Sequence, residues 1–239
     1  MRLLNTSTLD LKQFTTSWVP EYVILSHTWC DQEITFGDFR TGSILNGPSA
    51  ASIADKKPAS LAKVKGTCWQ ASRDEYDWVW IDSCCIDKSS SSELQEAINS
   101  MWRWYCDANI CYVYLADVAS GANSDDAYSF RTSRWFTRGW TLQELIAPST
   151  VEFFAMDWSS LGTKLERIDE LSRITGISKS VLRDGNVRNN NAAEKMSWAA
   201  HRQVTKAEDM AYCLSKLDMS RSFNRASKLT SFDWGSWTL

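Results

Sequence analysis

The chain alternates short apolar runs with longer stretches in which apolar residues return every three or four positions, the pattern of strands interleaved with helices. Tyr22–Ser26, reached from Leu9-Asp-Leu-Lys-Gln-Phe14 through Pro20, reads as a buried strand. Polar and small residues from Arg40 to Pro58 read as an exposed connection. A helix is expected over Ala59–Ser72 and a second strand over Trp78–Ile81. Ser92-Glu-Leu-Gln95 has capping-box spacing, and Leu94, Ala97, Ile98, Met101 and Tyr105 follow on one helical face. That helix should end near Asp107-Ala-Asn109, with Ile110–Leu115 as a buried strand after it. Strand, helix and strand within about forty residues make a βαβ unit, which requires a parallel sheet and a right-handed crossover.

A polar loop over Ala119–Tyr128 precedes a helix expected from near Thr137 to just before Pro148, and Val151–Phe154 supplies another strand. Beyond Leu161 the spacing of Leu161, Leu165, Ile168, Leu171 and Ile174 predicts a helix stopped by Gly176. A loop at Asn189-Asn-Asn191 leads to a last helix over Ala193–Leu214. The pattern predicts an α/β fold with a mostly parallel sheet flanked by helices and a helical C-terminal portion. We place one domain over 1–214, with its principal motifs in 22–158 and the helical portion in 159–214; 215–239 is polar and atypical.

Three of the apolar runs end in reactive side chains. In open α/β sheets ligands bind beyond the carboxyl ends of the strands, which would gather His27, Asp82, Asp87 and Glu144 around one cleft. His27 there can contact a phosphate or ribose or act as an acid or base, or it can simply complete a core-edge hydrogen bond. Asp82 and Asp87 can hold ribose hydroxyls or a divalent ion, or cap the turn into the next helix. Glu144 follows Trp140 by four residues, so on a helix they share a face. The pair can form an aromatic platform beside a carboxylate, or Trp140 can be core and Glu144 a solvated partner of Arg138 or Arg134.

Composition narrows the chemistry. The 239 residues carry 26 basic and 29 acidic side chains, a net charge of −3, which lacks the basic face that nucleic acid requires. Thirteen Trp imply many indoles half in the core with their N–H edges outward. Neither a secretory leader nor a run approaching the roughly 20 apolar residues of a membrane span is present, so a cytoplasmic protein is expected. Seven Cys, an odd number including adjacent Cys84 and Cys85, predict reduced thiols rather than a disulfide framework. Cys106 and Cys111 lack the second ligand pair of a zinc site in a chain with two His, and no metal site is expected. Neither glycine-rich nucleotide fingerprint occurs, which argues against kinases and dehydrogenases. Ser26 and His27 are strand neighbours that point to opposite faces, so they are not a nucleophile and its base.

Three blocks in order carry a family resemblance. They are Ile24-Leu-Ser-His-Thr-Trp29 with Ile34-Thr-Phe36; Val79-Trp-Ile-Asp-Ser-Cys-Cys-Ile-Asp-Lys88 with Glu93-Leu-Gln-Glu-Ala-Ile-Asn-Ser-Met101; and Ser133-Arg-Trp-Phe-Thr-Arg-Gly-Trp-Thr-Leu-Gln-Glu-Leu-Ile-Ala-Pro148. Together with Lys195-Met-Ser-Trp198 and Thr205-Lys-Ala-Glu-Asp-Met-Ala-Tyr-Cys-Leu214, they resemble the heterokaryon incompatibility (HET) domain of filamentous fungi over Tyr22 to Leu214. The resemblance implies a cell-death effector of fungal non-self recognition with a flavodoxin-like sheet, distantly similar to Toll/interleukin receptor (TIR) domains. Enzymatic members of that wider group carry Trp, three residues, then a Glu that cleaves the nicotinamide glycosidic bond of NAD. Carried over, Glu144 becomes the catalytic residue, and Ser26, His27, Trp29, Asp82, Asp87, Arg138 and Trp140 become contacts to NAD or NADP as substrate. No cofactor or metal is implied. The implied partners are further copies of the chain and an upstream recognition protein, with neither nucleic acid nor membrane. The alternative is a non-catalytic, self-associating signalling module in the same pathway. Two departures from the family pattern stand out: Cys30 where many members have Gly, and the polar end from Ser215 to Leu239 where an apolar segment with a Gly-Glu-Gly turn is usual, which reads as a truncated or altered tail.

Overall fold

A computed structural model describes residues 1–15, 18–39, 44, 50–120, 126–205 and 207–219. Strands β1 (Arg2–Asn5), β2 (Leu11–Gln13) and β3 (Val23–His27) are followed by helices α1 (Ala50–Lys56) and α2 (Pro58–Arg73). Next come β4 (Trp78–Trp80), the single turn α3 (Asp82–Cys85), α4 (Ser91–Asp107) and β5 (Ile110–Tyr114). The chain continues through α5 (Asp126–Thr132), a 3₁₀ turn at Arg134–Thr137, α6 (Thr141–Ile146), β6 (Val151–Phe154) and β7 (Ser160–Thr163). Four helices complete it: α7 (Ile168–Thr175), α8 (Lys179–Asp184), α9 (Ala192–Ala199) and α10 (Ala207–Met219). Among the described residues no helix is long and apolar enough to cross a membrane.

The seven strands form one sheet in the order β2-β1-β4-β3-β5-β6-β7. Its centre is parallel: β3 pairs with β4 on one side and β5 on the other, and β5 pairs with β6. The outer pairings β1–β2, β1–β4 and β6–β7 are antiparallel. The α/β fold expected from the sequence is therefore present, with antiparallel additions at both edges. After β3 the chain adds β4 to one flank and then crosses to the other to add β5. That reversal falls at the carboxyl ends of β3 and β5, the position at which this architecture offers ligands a crevice. All five residues of β3 are buried, as a strand covered by helices on both faces must be.

Several local expectations need correction. The N-cap of α4 is Ser90, whose side chain accepts from the Glu93 N–H; Ser92 lies inside the helix. Glu93 turns instead to the Asp87 N–H at 2.7 Å and to Arg2, so the capping box expected at Ser92 does not form. A true capping box joins Asn191 and Glu194 at the start of α9. The segment from Leu161 begins not as a helix but as β7, folded back on β6 by a turn in which Asp157 accepts from the Ser159 N–H. Gly162 in that strand has φ of 98°, and Leu165 is exposed, so the apolar spacing across this stretch was coincidental. Gly176 does end α7, in the left-handed conformation. The last helix is two helices, because Gln203 leaves helical geometry to pair with Arg138. The expected exposed connection 40–58 contains α1, with Ile44 and Ile53 buried, while 40–43 and 45–49 lie outside the described residues; of the atypical end 215–239, 215–219 complete α10 and the rest lies outside them.

Aromatic packing ties the sheet to its cover. Phe130, Trp135, Phe136 and Phe153 form a run of edge-to-face rings, and Tyr114 stacks on Trp158 with centroids 5.0 Å apart. Gly66 of α2 sits against that indole: a Cβ there would stand 2.0 Å from Trp158 Nε1. Gly66→Ala should therefore destabilise the fold by about 1–2 kcal/mol, overpacking outweighing the roughly 1 kcal/mol gained in helix propensity. A urea midpoint that rises instead would mean the indole moves aside freely.

Candidate functional site

Strand β3 ends in two polar residues whose side chains leave opposite faces of the sheet. On one face Ser26 is fully buried and donates its hydroxyl to Glu144 Oε2, while Trp135 Nε1 donates to the Ser26 Oγ at 2.8 Å. Tyr105, whose hydroxyl donates to the Leu25 carbonyl at 3.2 Å, lies within electrostatic reach of Glu144. Glu144 belongs to α6, which packs on β3, α4, α8 and α10. Its carboxylate thus ends up at the reversal crevice, 8% exposed. Burial pushes the Glu144 carboxyl up to about 8; the Ser26 hydroxyl opposes that, Asp82 adds to it, and Arg138 opposes it. At neutral pH the resting group is mostly protonated.

The turn before α6 is held by the C-terminal segment. Gly139 N–H donates to the Gln203 carbonyl at 2.8 Å, and a Cβ on Gly139 would meet Val204 at 2.3 Å, so the close approach needs glycine there. The buried Arg202 reaches the Arg138 carbonyl at 2.9 Å and Thr141 Oγ1 at 2.7 Å. Gln143, next to Glu144, donates to the carbonyls of Tyr212 and Cys213. Helix α10 and the segment before it thereby fix the position of α6.

On the other face His27 points toward α2. Its Nε2 is 3.6 Å from Glu33 Oε1 and 3.7 Å from Asp82 Oδ1, and neither ring nitrogen has a hydrogen bond. Glu33 is also buried and accepts from Lys63 at 2.9 Å, Ser60 at 2.9 Å and the Cys30 N–H at 3.1 Å. Burial would raise the Glu33 carboxyl, but the charge and hydrogen bond of Lys63 outweigh it and hold the group well below the usual carboxylate range. Burial and then Lys63 lower His27, Glu33 and Asp82 only partly opposing, so the imidazole is neutral.

Between the two faces, at the strand ends, Asp82 opens α3 and accepts from Trp29 Nε1 at 3.0 Å and Lys88 Nζ at 3.2 Å. Burial raises Asp82, but the charge and hydrogen bond of Lys88, with the Trp29 indole N–H, more than offset it and keep the carboxylate ionised. Trp29 is half-exposed.

The family described as heterokaryon incompatibility protein (HET) matches residues 22–129. Vegetative incompatibility protein HET-E-1 of Podospora anserina is 42% identical over 205 residues, which cover 82% of this chain and 14% of that protein. The matched segment of this chain is a HET domain. The chain spans about one seventh of the length of that relative. No solved structure matches it.

The HET-family residues singled out from the sequence are thus divided by the fold. Ser26 and Glu144 meet directly; His27, Trp29 and Asp82 form a second group, tied to the first through the electrostatic reach of Asp82 on Glu144. Arg138 supplies its carbonyl to Arg202 and its charge to Glu144. Trp140 is the N-cap of α6 with helical backbone angles, and its carbonyl accepts from the Glu144 N–H at 3.4 Å, so the two share a face as expected; its indole donates to Asp209 on α10 at 3.3 Å. Asp87 accepts from the N–H and hydroxyl of Ser89, shaping the turn into α4. All seven Cys are free thiols, and among the described residues no group of three or more His, Cys, Asp or Glu could hold a metal ion.

Sequence reasoning missed Trp135, Glu33, Ser60 and Lys63. A signal existed for two of them: Ser60, Lys63, Thr67 and Ala71 recur at helical spacing along the buried face of α2. A Lys and a Ser on that stripe call for a buried partner. Glu33 sits in an irregular segment and Trp135 in a single 3₁₀ turn, too short for periodicity.

The protonated Glu144 has a consequence for stability. Its folded value lies above the unfolded one of 4.5, so the native state binds that proton more tightly. Its contribution is complete below pH 4.5 and is lost as pH rises to about 8. Glu144→Gln keeps the shape without titrating, and its stability relative to the natural chain should grow by a few kcal/mol between pH 5 and pH 8. Urea titrations at both pH values check this; parallel pH dependence in the two proteins would mean that native Glu144 is ordinarily ionised.

Proposed function

We propose that this chain acts in heterokaryon incompatibility, as the vegetative incompatibility protein similar to it is named for doing, and that it does so by hydrolysing the nicotinamide glycosidic bond of NAD or NADP. The observation that supports the chemistry is Glu144: a buried carboxyl with a strongly raised pKa, held by Ser26 at the strand-reversal crevice. Perturbed carboxyls at such crevices are where acid, base and charge-stabilising roles concentrate.

In the reaction the ribose–nitrogen bond breaks and its electron pair leaves with the ring nitrogen, so a cationic nicotinamide departs neutral. The ribose becomes oxocarbenium-like, and a carboxylate beside it stabilises the developing charge. Water adds to the sugar carbon and gives up a proton, leaving ADP-ribose. A substrate cation in contact with Glu144 favours the ionised carboxylate, reversing the effect that burial has on the resting group. Ser26 then remains the hydroxyl donor that orients it, and Trp135 keeps Ser26 in place.

The rival reading, a non-catalytic self-associating module, draws support from large apolar side chains left exposed at Trp18, Trp69 and Met196. Nicotinamide release by the purified chain at high concentration separates the two. Turnover should fall by about a thousandfold or more in Glu144→Gln, the size of loss usual when a charge-stabilising group is removed. Because the ionised form is needed, kcat/KM should rise with pH toward a limb near 8. Absence of turnover from folded protein, with cell killing retained by Glu144→Gln, would establish the signalling module.

A further inference from the structure

The rim of the crevice carries an arrangement that neither the Glu144 chemistry nor the core requires. Trp29, three residues beyond Ser26, presents a ring face over which the Lys88 ammonium sits at 3.4 Å from the centroid. The same ammonium is 3.2 Å from Asp82 Oδ2, and the Trp29 indole N–H donates to that carboxylate at 3.0 Å. One aromatic face and one carboxylate therefore converge on one positive charge. All three side chains remain partly open to solvent: Trp29 is 36% exposed, and the side chains of Lys88 and Asp82 are 32% and 29% exposed.

We propose that the Trp29 face and Asp82 form a binding site for a planar organic cation of the N-alkylpyridinium class, and that Lys88 occupies it in the resting protein as an internal competitor. This deepens the proposed function, on which it rests, by assigning the place where the charged ring of the substrate docks.

The physical argument is an exchange of like for like. An aromatic face attracts any cation, and Asp82 favours any positive charge within reach. Lys88 offers a compact ammonium, strongly hydrated and carried on a flexible stem, that covers only part of the ring. A flat pyridinium covers the whole face by stacking and spreads its charge, while Asp82 keeps one cationic neighbour in either state. Displacement of Lys88 leaves no carboxylate unpaired and frees the lysine into water, where an ammonium is stable. The backbone there needs no change: the turn bearing Lys88 is fixed independently by Asp87, whose carboxylate holds Ser89 and whose carbonyl accepts from the Ser90 N–H. Asp82 also adjoins both buried groups, lying 3.7 Å from His27 and within electrostatic reach of Glu144, so a ring docked at the rim stands next to the proposed reacting end.

The test uses 1-methylnicotinamide, methylated on the ring nitrogen and so a pyridinium cation with no ribosyl bond, whose binding is independent of whether the chain hydrolyses anything. Isothermal titration of the purified chain should show Lys88→Met binding this probe about tenfold more tightly than the natural sequence, the size of a cation–π contact set free. Neutral nicotinamide should gain nothing. The gain should vanish in Lys88→Met combined with Trp29→Leu, and again in Lys88→Met combined with Asp82→Asn; Lys88→Met with Trp29→Phe, which keeps an aromatic face, guards against a folding defect and should retain part of it. Equal affinity of the natural and Lys88→Met chains, or a gain that survives loss of the Trp29 ring, would overturn the proposal. Tight probe binding without NAD turnover would leave this site standing while removing the hydrolase reading.

Discussion

The strand at the centre of the sheet is covered on both sides, and everything at the candidate site follows from that constraint. Val23, Ile24 and Leu25 satisfy it with hydrocarbon, but Ser26 and His27 continue the same strand with polar side chains that point in opposite directions. Each face must then supply partners, because an unpaired polar group in such a place costs about 1–3 kcal/mol. Above, the partners are Glu144 and Trp135; below, Glu33 and Lys63 stand beside an imidazole that keeps both nitrogens unbonded.

The two carboxyls show how burial alone does not decide ionisation. Glu33 and Glu144 are both out of water, yet they move in opposite directions. Lys63 contacts Glu33 directly, so its charge is matched inside the protein. Glu144 has only hydroxyl and more distant cationic support, and so holds its proton. One group is therefore a structural anion and the other a carboxyl that burial keeps protonated. The rim group of Trp29, Asp82 and Lys88 is intermediate: partly solvated, charge-balanced and exchangeable.

Position is supplied from far along the chain. The segment carrying Arg202 and Gln203 returns to grip the turn before α6, and α10 accepts the Gln143 side chain beside Glu144. A short helix of six residues has little stability of its own, so these contacts set where its carboxyl stands. The helical C-terminal portion is in this sense part of the site rather than an appendage to it.

How much could be read without coordinates depended on the range of the interaction. The apolar runs at Tyr22–Ser26, Trp78–Ile81, Ile110–Leu115 and Val151–Phe154 marked all four parallel strands, because a strand buried on both faces must be apolar over several consecutive residues. The long helices α2 and α4 were equally plain from their periodicity, and the ordered blocks around His27, Asp82 and Glu144 carried the family. Strands β1, β2 and β7 were not legible, since three or four residues are too few to show a period and each owes its form to an antiparallel neighbour. Trp140 and Glu144 do share the face their spacing predicts, but the partner of the Trp140 indole, Asp209 of α10, lies 69 residues away and left no trace in that spacing. The sequence by itself determined which residues would stand at the strand ends, since periodicity is local. Only the tertiary structure decided which of them would meet, separating Ser26 from His27 across the sheet and bringing Glu33, Lys63 and Trp135 to them, because a partner distant in sequence leaves no periodic trace at either position.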